Sequence, residues 1–210
     1  MLSILQKIKQ EKIISIIRAD SITEIEEVVS ALYNGGVRVV EITLNTPGAL
    51  KGIEVIREKF PEMLVGAGTV LDEETARLAI LSGASFLLAP TLDENSIRLA
   101  NRYNVPLIPG VLTPTEIQKA YEYGAQVVKV FPISTLGPGY IKDIKGPLPH
   151  VSVMPVGGVD LDNINEYLEA GSFAVGIGSS LVNNQLIKQK QFEEIEKRAK
   201  QYVDVVKKYR

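Results

Sequence analysis

A single lysine interrupts the apolar run at residues 126–132. The neighbours of Lys129 in this run are β-branched or aromatic and Pro132 closes it, which is typical of a short strand buried on both faces. A lysine in such a strand must pair with an anion, reach solvent with its amine, or lose its proton. The run therefore predicts either a structural ion pair or a nucleophilic amine.

Other polar or conformationally special residues lie within or directly after further apolar runs. They are Arg18, Glu41, Thr69 and Pro90, in or after the runs at residues 13–17, 37–44, 64–68 and 85–90. Each has a purely structural alternative: Glu41 as an ion-pair partner of Lys129, Arg18 as a surface residue, and Thr69 as a cap or turn hydroxyl. Which alternative holds depends on whether the fold brings these residues together.

Eight short apolar runs alternate with amphipathic segments along the whole chain. The runs are residues 13–17, 37–44, 64–68, 85–90, 106–109, 126–132, 151–156 and 173–177, and a charged helix is predicted over 191–209. Strands alternating with helices predict βαβ units in a parallel sheet. Pro47 is expected to open a helix, and Asp72, Asp93 and Thr113 are expected to cap helices.

Eight such units favour a (β/α)8 TIM barrel with an additional N-terminal helix, forming one domain over residues 1–210. A doubly wound sheet is the alternative. It would usually have fewer strands and a glycine loop after the first strand, whereas residues 18–20 are Arg-Ala-Asp. In a barrel the carboxyl ends of all strands meet on one face, so the special residues above would share a single site.

Two glycine turns follow the last two runs. Gly157 and Gly158 come after residues 151–156, and Gly178, Ser179 and Ser180 come after residues 173–177. Barrels frequently hold a phosphate at these strand ends, because glycine lets an anion approach backbone N–H groups. The pattern predicts a phosphate site to which the serine hydroxyls would add donors; tight turns alone are the other reading.

The chemistry that these residues suggest is Schiff-base formation between Lys129 and a ketone. Lysine needs apolar burial or a neighbouring cation to lose its proton near neutral pH, and Arg18 is a candidate for that cation. A protonated imine withdraws electrons, so an adjacent C–C bond can break. Glu41 would then move protons as general acid and base, and Arg18 would hold a carboxylate.

Composition excludes several classes of function. Lysine and arginine number 23 against 25 aspartates and glutamates, a net charge of −2, so there is no basic footprint for nucleic acid or for a membrane surface. The chain has no cysteine and only one histidine, His150, which argues against a metal site or a thiol nucleophile. We therefore expect a protein that needs no metal or other cofactor. No signal segment is apparent at the amino terminus, so we expect a cytoplasmic location.

Several motifs together resemble the family of 2-keto-3-deoxy-6-phosphogluconate (KDPG) aldolases, which also act on 4-hydroxy-2-oxoglutarate and on the galactonate epimer of KDPG. The motifs are Ile-Arg-Ala at 17–19, Val-Glu-Ile-Thr-Leu at 40–44, Val-Gly-Ala-Gly-Thr-Val at 65–70, Pro-Gly-Val-Leu-Thr-Pro-Thr-Glu at 109–116, Lys-Val-Phe-Pro at 129–132, Pro-Val-Gly-Gly-Val at 155–159 and Gly-Ile-Gly-Ser at 176–179. The resemblance covers nearly the whole chain.

The resemblance implies a division of roles. Lys129 matches the Schiff-base lysine and Glu41 the acid/base glutamate. Arg18 and Thr69 match contacts to the pyruvate carboxylate, and Gly157, Gly158 and residues 178–180 match the phosphate site. It also implies the products pyruvate and glyceraldehyde 3-phosphate, no metal, and a homotrimer.

Two positions depart from the phosphogluconate pattern. Many of those members have threonine where this chain has Val156, and some have arginine where it has Asn45, so these two, with Pro90, are candidate substrate-binding residues. The pairing of Leu-Asn-Thr-Pro at 44–47 with Val-Gly-Gly at 156–158 resembles the galactonate-type branch of the family. Losing the threonine hydroxyl removes a hydrogen-bonding group for a substrate hydroxyl, so discrimination between the epimers is expected to shift or relax. Two alternatives to an aldolase stay open at this point: a phosphosugar isomerase or epimerase on the same barrel, and a sugar-phosphate binding protein without catalysis.

Overall fold

The computed structural model describes all 210 residues as alternating strands and helices. The strands are β1 (Ile13–Ile17), β2 (Val39–Thr43), β3 (Leu64–Gly68), β4 (Leu87–Leu88), β5 (Leu107–Ile108), β6 (Gly110–Val111), β7 (Val128–Val130), β8 (Val153–Pro155) and β9 (Val175–Ile177). The helices are α1 (Leu2–Glu11), α2 (Ile22–Asn34), α3 (Ala49–Lys59), α4 (Glu73–Leu81), α5 (Glu94–Arg102), α6 (Pro114–Glu122), α7 (Gly139–Lys145), α8 (Ile164–Glu169), α9 (Asn184–Lys188) and α10 (Phe192–Val206), followed by a 3-10 turn (Lys207–Tyr209).

Side-chain caps begin several of the helices. Asp72 and Asp93 accept hydrogen bonds from backbone N–H groups three residues on, at 2.7 Å in each case. Thr113 and Glu116 form a reciprocal capping box at the start of α6. These three predicted caps are confirmed. The helix expected to open at Pro47 begins at Ala49 instead, because Gly48, in a left-handed conformation, precedes it.

Every strand pairing is parallel. One sheet has the order β5-β4-β3-β2-β1-β9 and a second has the order β6-β7-β8. The run expected as one strand at residues 106–109 is divided, because β5 and β6 lie on either side of Pro109, which has no N–H for a ladder. The protein is therefore an α/β fold whose parallel sheet curls into at least a half-barrel.

Two apolar clusters show which face of the sheet points inward. A cluster of 54 buried residues joins alternate strand residues to the surrounding helices. A cluster of 12 joins the other strand residues to one another, among them Ile14, Val39, Val127 and Met154. Residues alternate between the two faces of a strand, so the smaller cluster is the concave interior of the curled sheet.

Helix α1 covers one end of this interior. Its buried Leu5 and Ile8 belong to the smaller cluster, which explains the additional N-terminal helix expected from the sequence. The runs at 13–17 and 64–68 match β1 and β3 residue for residue, and the other strands are shorter than the runs that predicted them: the run at 37–44 gives Val39–Thr43 and the run at 173–177 gives Val175–Ile177. None of the helices is long and apolar enough to cross a membrane.

Candidate active site

Lys129 lies in the middle of β7 and points into the curled sheet. Its neighbours Val128 and Val130 belong to the outer cluster, whereas Val127 and Phe131 pack with the inner one, so the intervening lysine side chain is on the inner face. The residue is only 6% exposed. Its amine lies 4.7 Å from the centroid of the Phe131 ring, within cation–π range.

The environment of Lys129 favours the neutral amine. Burial is the largest influence and lowers the pKa of Lys129; the carboxylate of Glu41 acts in the opposite direction, and the cation of Arg18 adds to the lowering. This is the direction that a Schiff-base lysine requires. Burial contributes more to this lowering than Arg18 does.

Glu41 lies in β2 and is 1% exposed. Burial raises the pKa of its carboxyl, while Lys129 and Arg18 both oppose the rise. One carboxyl oxygen, Oε2, is buried and makes no hydrogen bond. A buried carboxyl with a raised pKa and a free oxygen is suited to proton transfer near neutral pH.

A cavity of about 380 Å³ contains both glycine turns and is lined by Arg18 and Phe131, although Lys129 and Glu41 are not part of its lining. Its lining consists of Ile16, Arg18, Phe131, Val156 and residues 157–160 and 178–180. Arg18 therefore connects the two halves of the site, since it acts electrostatically on Lys129 and Glu41 and also lines the cavity.

Backbone geometry makes the two turns a cradle for an anion. Gly157 and Gly158 have φ values of 91° and 82°, which side chains other than glycine rarely adopt. The backbone N–H groups of Gly157, Gly158, Ser179 and Ser180 donate no hydrogen bonds within the chain. Unsatisfied N–H groups from two adjacent turns are what a phosphate requires.

The hydroxyl of Ser180 has a different position from the one expected for a phosphate donor. It donates to the backbone oxygen of Val159 at 2.7 Å and so joins one glycine turn to the other. The backbone N–H of Ser180 is still free to face the cavity. Ser179 is exposed at the tip of its turn.

Thr69 follows β3 and has a φ of 58°, an uncommon conformation for a β-branched residue that costs about 1–3 kcal/mol. Its backbone N–H donates no hydrogen bond within the chain. Pro90 lines a neighbouring cavity of about 500 Å³ that shares Phe131 with the first one. Asn45 is exposed in the turn after β2.

Val156 is 3% exposed and forms part of the wall of the first cavity. It packs against Gly176, where an added Cβ would lie 2.7 Å from a methyl group of Val156. The side chain at position 156 is thus held in place by close packing.

Two buried threonines were not identified from the sequence. Thr43 Oγ1 lies 3.2 Å from the backbone oxygen of Ile17 and also 3.2 Å from Thr46 Oγ1, which in turn accepts from the N–H of Ala19 at 3.5 Å. They fix the segment that carries Arg18 to the turn that carries Asn45. Threonine is common in strands, so the sequence alone does not distinguish a threonine that supports the site from one that only forms the strand.

No group of three or more His, Cys, Asp or Glu side chains lies close enough together to hold a metal ion. His150 is exposed and contacts Tyr121 edge-on, with 5.8 Å between ring centroids.

A buried amine, a buried carboxyl and an adjoining anion cradle in a curled parallel sheet define a candidate Schiff-base lyase for a phosphorylated carbonyl compound. Comparisons with known proteins agree. The family model described as KDPG and KHG aldolase, an aldolase family, matches residues 4–198. The chain belongs to this family of Schiff-base aldolases.

Individual relatives match over nearly the full length. The chain is 34% identical over 205 residues to a 2-dehydro-3-deoxy-phosphogluconate aldolase from Haemophilus influenzae, with 97% of each chain covered. It is 35% identical over 200 residues to a 2-dehydro-3-deoxy-6-phosphogalactonate aldolase from Escherichia coli, with 94% of each covered. The structure of a KDPG aldolase from Legionella pneumophila, with pyruvate captured as a covalent carbinolamine, has a TM-score of 0.88 at 30% identity, covering 94% of this chain and 96% of that one.

Proposed function

We propose that this chain is a class I aldolase that cleaves KDPG, or its galactonate epimer, to pyruvate and glyceraldehyde 3-phosphate. The observation that carries the proposal is the buried pair of Lys129 and Glu41, whose pKa values shift toward their neutral forms, next to a cavity with free backbone N–H groups. Cleavage of 4-hydroxy-2-oxoglutarate, which has no phosphate, would use the same pair.

The reaction begins at Lys129. Its neutral amine attacks the C2 ketone, the protonated carboxyl of Glu41 donates its proton to the carbinolamine hydroxyl, and loss of water gives a protonated imine and the Glu41 carboxylate. Glu41 then removes the proton from the C4 hydroxyl, the C3–C4 bond breaks, and its electrons form an enamine while the aldehyde leaves. The protonated Glu41 returns its proton to C3, and hydrolysis of the protonated imine releases pyruvate and the free amine while the remaining proton goes back to the Glu41 carboxylate.

Binding groups surround the pair. We propose that Arg18 and the free N–H of Thr69 hold the substrate carboxylate, and that Gly157, Gly158, Gly178, Ser179 and Ser180 hold the phosphate. Pro90, Asn45 and Val156 would contact the remainder of the substrate. The packed position of Val156 supports a role in distinguishing the epimers, because a fixed apolar wall cannot adapt to a hydroxyl.

Trapping with borohydride tests the reaction type. With pyruvate and borohydride, mass spectrometry should find one pyruvyl adduct on Lys129, and no adduct should form in Lys129→Met. An adduct on another residue, or none, would refute the Schiff-base mechanism. An isomerase or epimerase would keep its activity in Lys129→Met, and a binding protein would show no turnover.

Pyruvate release from the two epimeric six-carbon phosphates, assayed side by side, tests the substrate. We expect turnover of at least one of the two. The galactonate epimer should be preferred, because Asn45 and Val156 resemble the residues of the galactonate-type branch. If neither epimer releases pyruvate, the proposed substrate class is wrong. The borohydride experiment would still decide independently whether Lys129 forms a Schiff base.

We further propose that eight strands close into a (β/α)8 barrel within a single domain over residues 1–210, with β5 and β6 counted as one strand. An isolated parallel bridge between Val156 and Gly176, and a hydrogen bond of 2.8 Å from Phe173 N–H to the backbone oxygen of Val153, support closure between β8 and β9. A crystal structure that left this edge open would contradict closure.

Assembly into a homotrimer is a further proposal. Exposed leucines at 71, 78 and 81 form apolar surface on and before α4 that an assembly would cover. Light scattering on the purified protein should give three times the 23.0 kDa chain mass. A cytoplasmic location stays a prediction from the sequence.

A further inference from the structure

The carboxyl group of Glu41 occupies the space that a side chain on Gly68 would fill. Strands β2 and β3 are paired, with Thr43 opposite Gly68 and Glu41 opposite Gly66. A Cβ added to Gly68 would lie well inside 3.0 Å of Cγ, Cδ and Oε1 of Glu41, a separation that Cβ atoms essentially never show. A side chain at position 68 and the observed Glu41 rotamer therefore exclude each other.

The backbone at position 68 does not itself require glycine. Gly68 is absent from the eight glycines with positive φ, so its backbone conformation is open to other residues. Glycine inside a strand is otherwise unfavourable, because it has no side chain to pack and loses more conformational entropy. What excludes a larger residue at this position is the Glu41 side chain.

The two oxygens of Glu41 have different surroundings. Oε1 lies over Gly68, whereas Oε2 is buried without any hydrogen-bond partner. A buried, unpartnered carboxyl oxygen is costly unless a ligand satisfies it. Since Oε2 has no partner to hold it, the position of the carboxyl depends on the space that Oε1 occupies over Gly68.

We propose that Gly68 is a positioning residue for the reaction, and that the gap left by its missing side chain holds the Glu41 carboxyl in the position from which it transfers protons. This inference rests on the proposed aldolase function. Any side chain at position 68 displaces the carboxyl and separates it from Lys129. Lys129 itself keeps its place, because β7 belongs to the second sheet and does not pair with β3.

Gly68→Ala tests the proposal, with Gly66→Ala as the matched control. Gly66 lies two residues earlier in β3, also without positive φ, and an added Cβ there would meet the Phe86 ring instead of Glu41. We expect Gly68→Ala to lower kcat about 10²-fold or more, the usual range for loss of general acid–base catalysis, and to change the pH profile. Gly66→Ala should lower stability and leave the pH profile as it is.

A double-mutant cycle separates positioning from general disruption. In a Glu41→Gln background the acid/base is already lost, so Gly68→Ala should lower kcat by less than about threefold. An additive loss of kcat in that background would overturn the proposal. The borohydride adduct on Lys129 is measured in the same variants. If the adduct is absent from the wild type as well, the Schiff-base function itself is wrong, and this outcome is distinct from a failure of the positioning role of Gly68.

Thermal unfolding completes the test if Gly68→Ala folds poorly. Removal of the Glu41 side chain in Glu41→Ala also removes the clash, so the loss of melting temperature caused by Gly68→Ala should largely disappear in the double variant. An equal loss in the presence and absence of the Glu41 side chain would show that something other than Glu41 excludes a side chain at position 68, and the proposal would be wrong.

Discussion

Burial of Lys129 and Glu41, the proposed catalytic pair, should reduce the stability of the fold, and their replacement by apolar side chains of similar volume should increase it. Lys129 is 6% exposed and Glu41 1% exposed, and burial shifts both pKa values toward the neutral forms. Replacing buried charged groups with well-packed hydrophobic side chains of similar volume is often neutral or stabilising by about 1–4 kcal/mol. The double variant Lys129→Met/Glu41→Leu should therefore be more stable than the wild type.

The gain can be measured by urea and thermal unfolding of the ligand-free protein at pH 7. For a chain of this size, 1 kcal/mol raises Tm by about 2–4 °C, so a gain of at least roughly 2 °C is expected. Lys51→Met/Glu54→Leu is the control, because that ion pair is exposed and should contribute little. A double variant at the catalytic pair that is less stable than the wild type would refute the reasoning.

The gain should also depend on pH. The raised pKa of Glu41 means that its stability cost is present above the unfolded-state pKa, about 4.3, and disappears below it. The lowered pKa of Lys129 means that its cost is present below the unfolded-state pKa, about 10.4, and disappears above it. The stability difference should be largest between these limits and decrease toward either. A difference that is constant with pH would contradict the linkage.

Three further predictions concern single side chains. Val156→Thr adds a hydroxyl to the cavity wall at similar volume. The ratio of kcat/KM for the gluconate epimer to that for the galactonate epimer should therefore rise by up to about tenfold. An unchanged ratio would exclude Val156 as the residue that distinguishes the epimers. Asp160 is the one carboxylate that lines the cavity with the glycine turns, and it repels a bound phosphate. Asp160→Asn should therefore raise kcat/KM for the phosphorylated substrate about threefold or more and leave kcat/KM for 4-hydroxy-2-oxoglutarate unchanged. Asp162→Asn, outside the cavity, is the control and should change neither value of kcat/KM. Ser15 has a fully buried hydroxyl without a partner, so Ser15→Ala should increase the free energy of unfolding by about 1 kcal/mol in urea titrations, and a decrease would indicate a hidden partner.

Local patterns in the sequence predicted much of the fold because they depend on near neighbours in the chain. The caps at Asp72, Asp93 and Thr113 are set by residues three positions away, and all three are found. The burial of Lys129 follows from the apolar residues on either side of it. Local patterns could not predict features that depend on tertiary contacts. Examples are the interruption of a strand at Pro109 and the hydrogen bond from the Ser180 hydroxyl to the backbone oxygen of Val159.

The same limit applies to the candidate site. Lys129 and Glu41 were recognisable because a charge inside an apolar run is unusual, but their position relative to each other depends on how the sheet curls. The role inferred for Gly68 could not be anticipated, because a glycine near the end of a strand predicts only a bulge or a close approach. Which atom makes that close approach is visible only in three dimensions.

Long polar side chains within a curled sheet need space, which a neighbouring strand can supply. In the order β3-β2-β1-β9, Glu41 of β2 lies over Gly68 of β3 on one flank. On the other flank, a Cβ on Gly178, directly after β9, would lie 4.0 Å from the Arg18 guanidinium, which follows β1. A distance of 4.0 Å is an ordinary contact, so only Gly68 provides space that a side chain would take away. The position of the Glu41 carboxyl, and with it the electrostatic coupling to Lys129 and Arg18, therefore depends on a residue that carries no functional group.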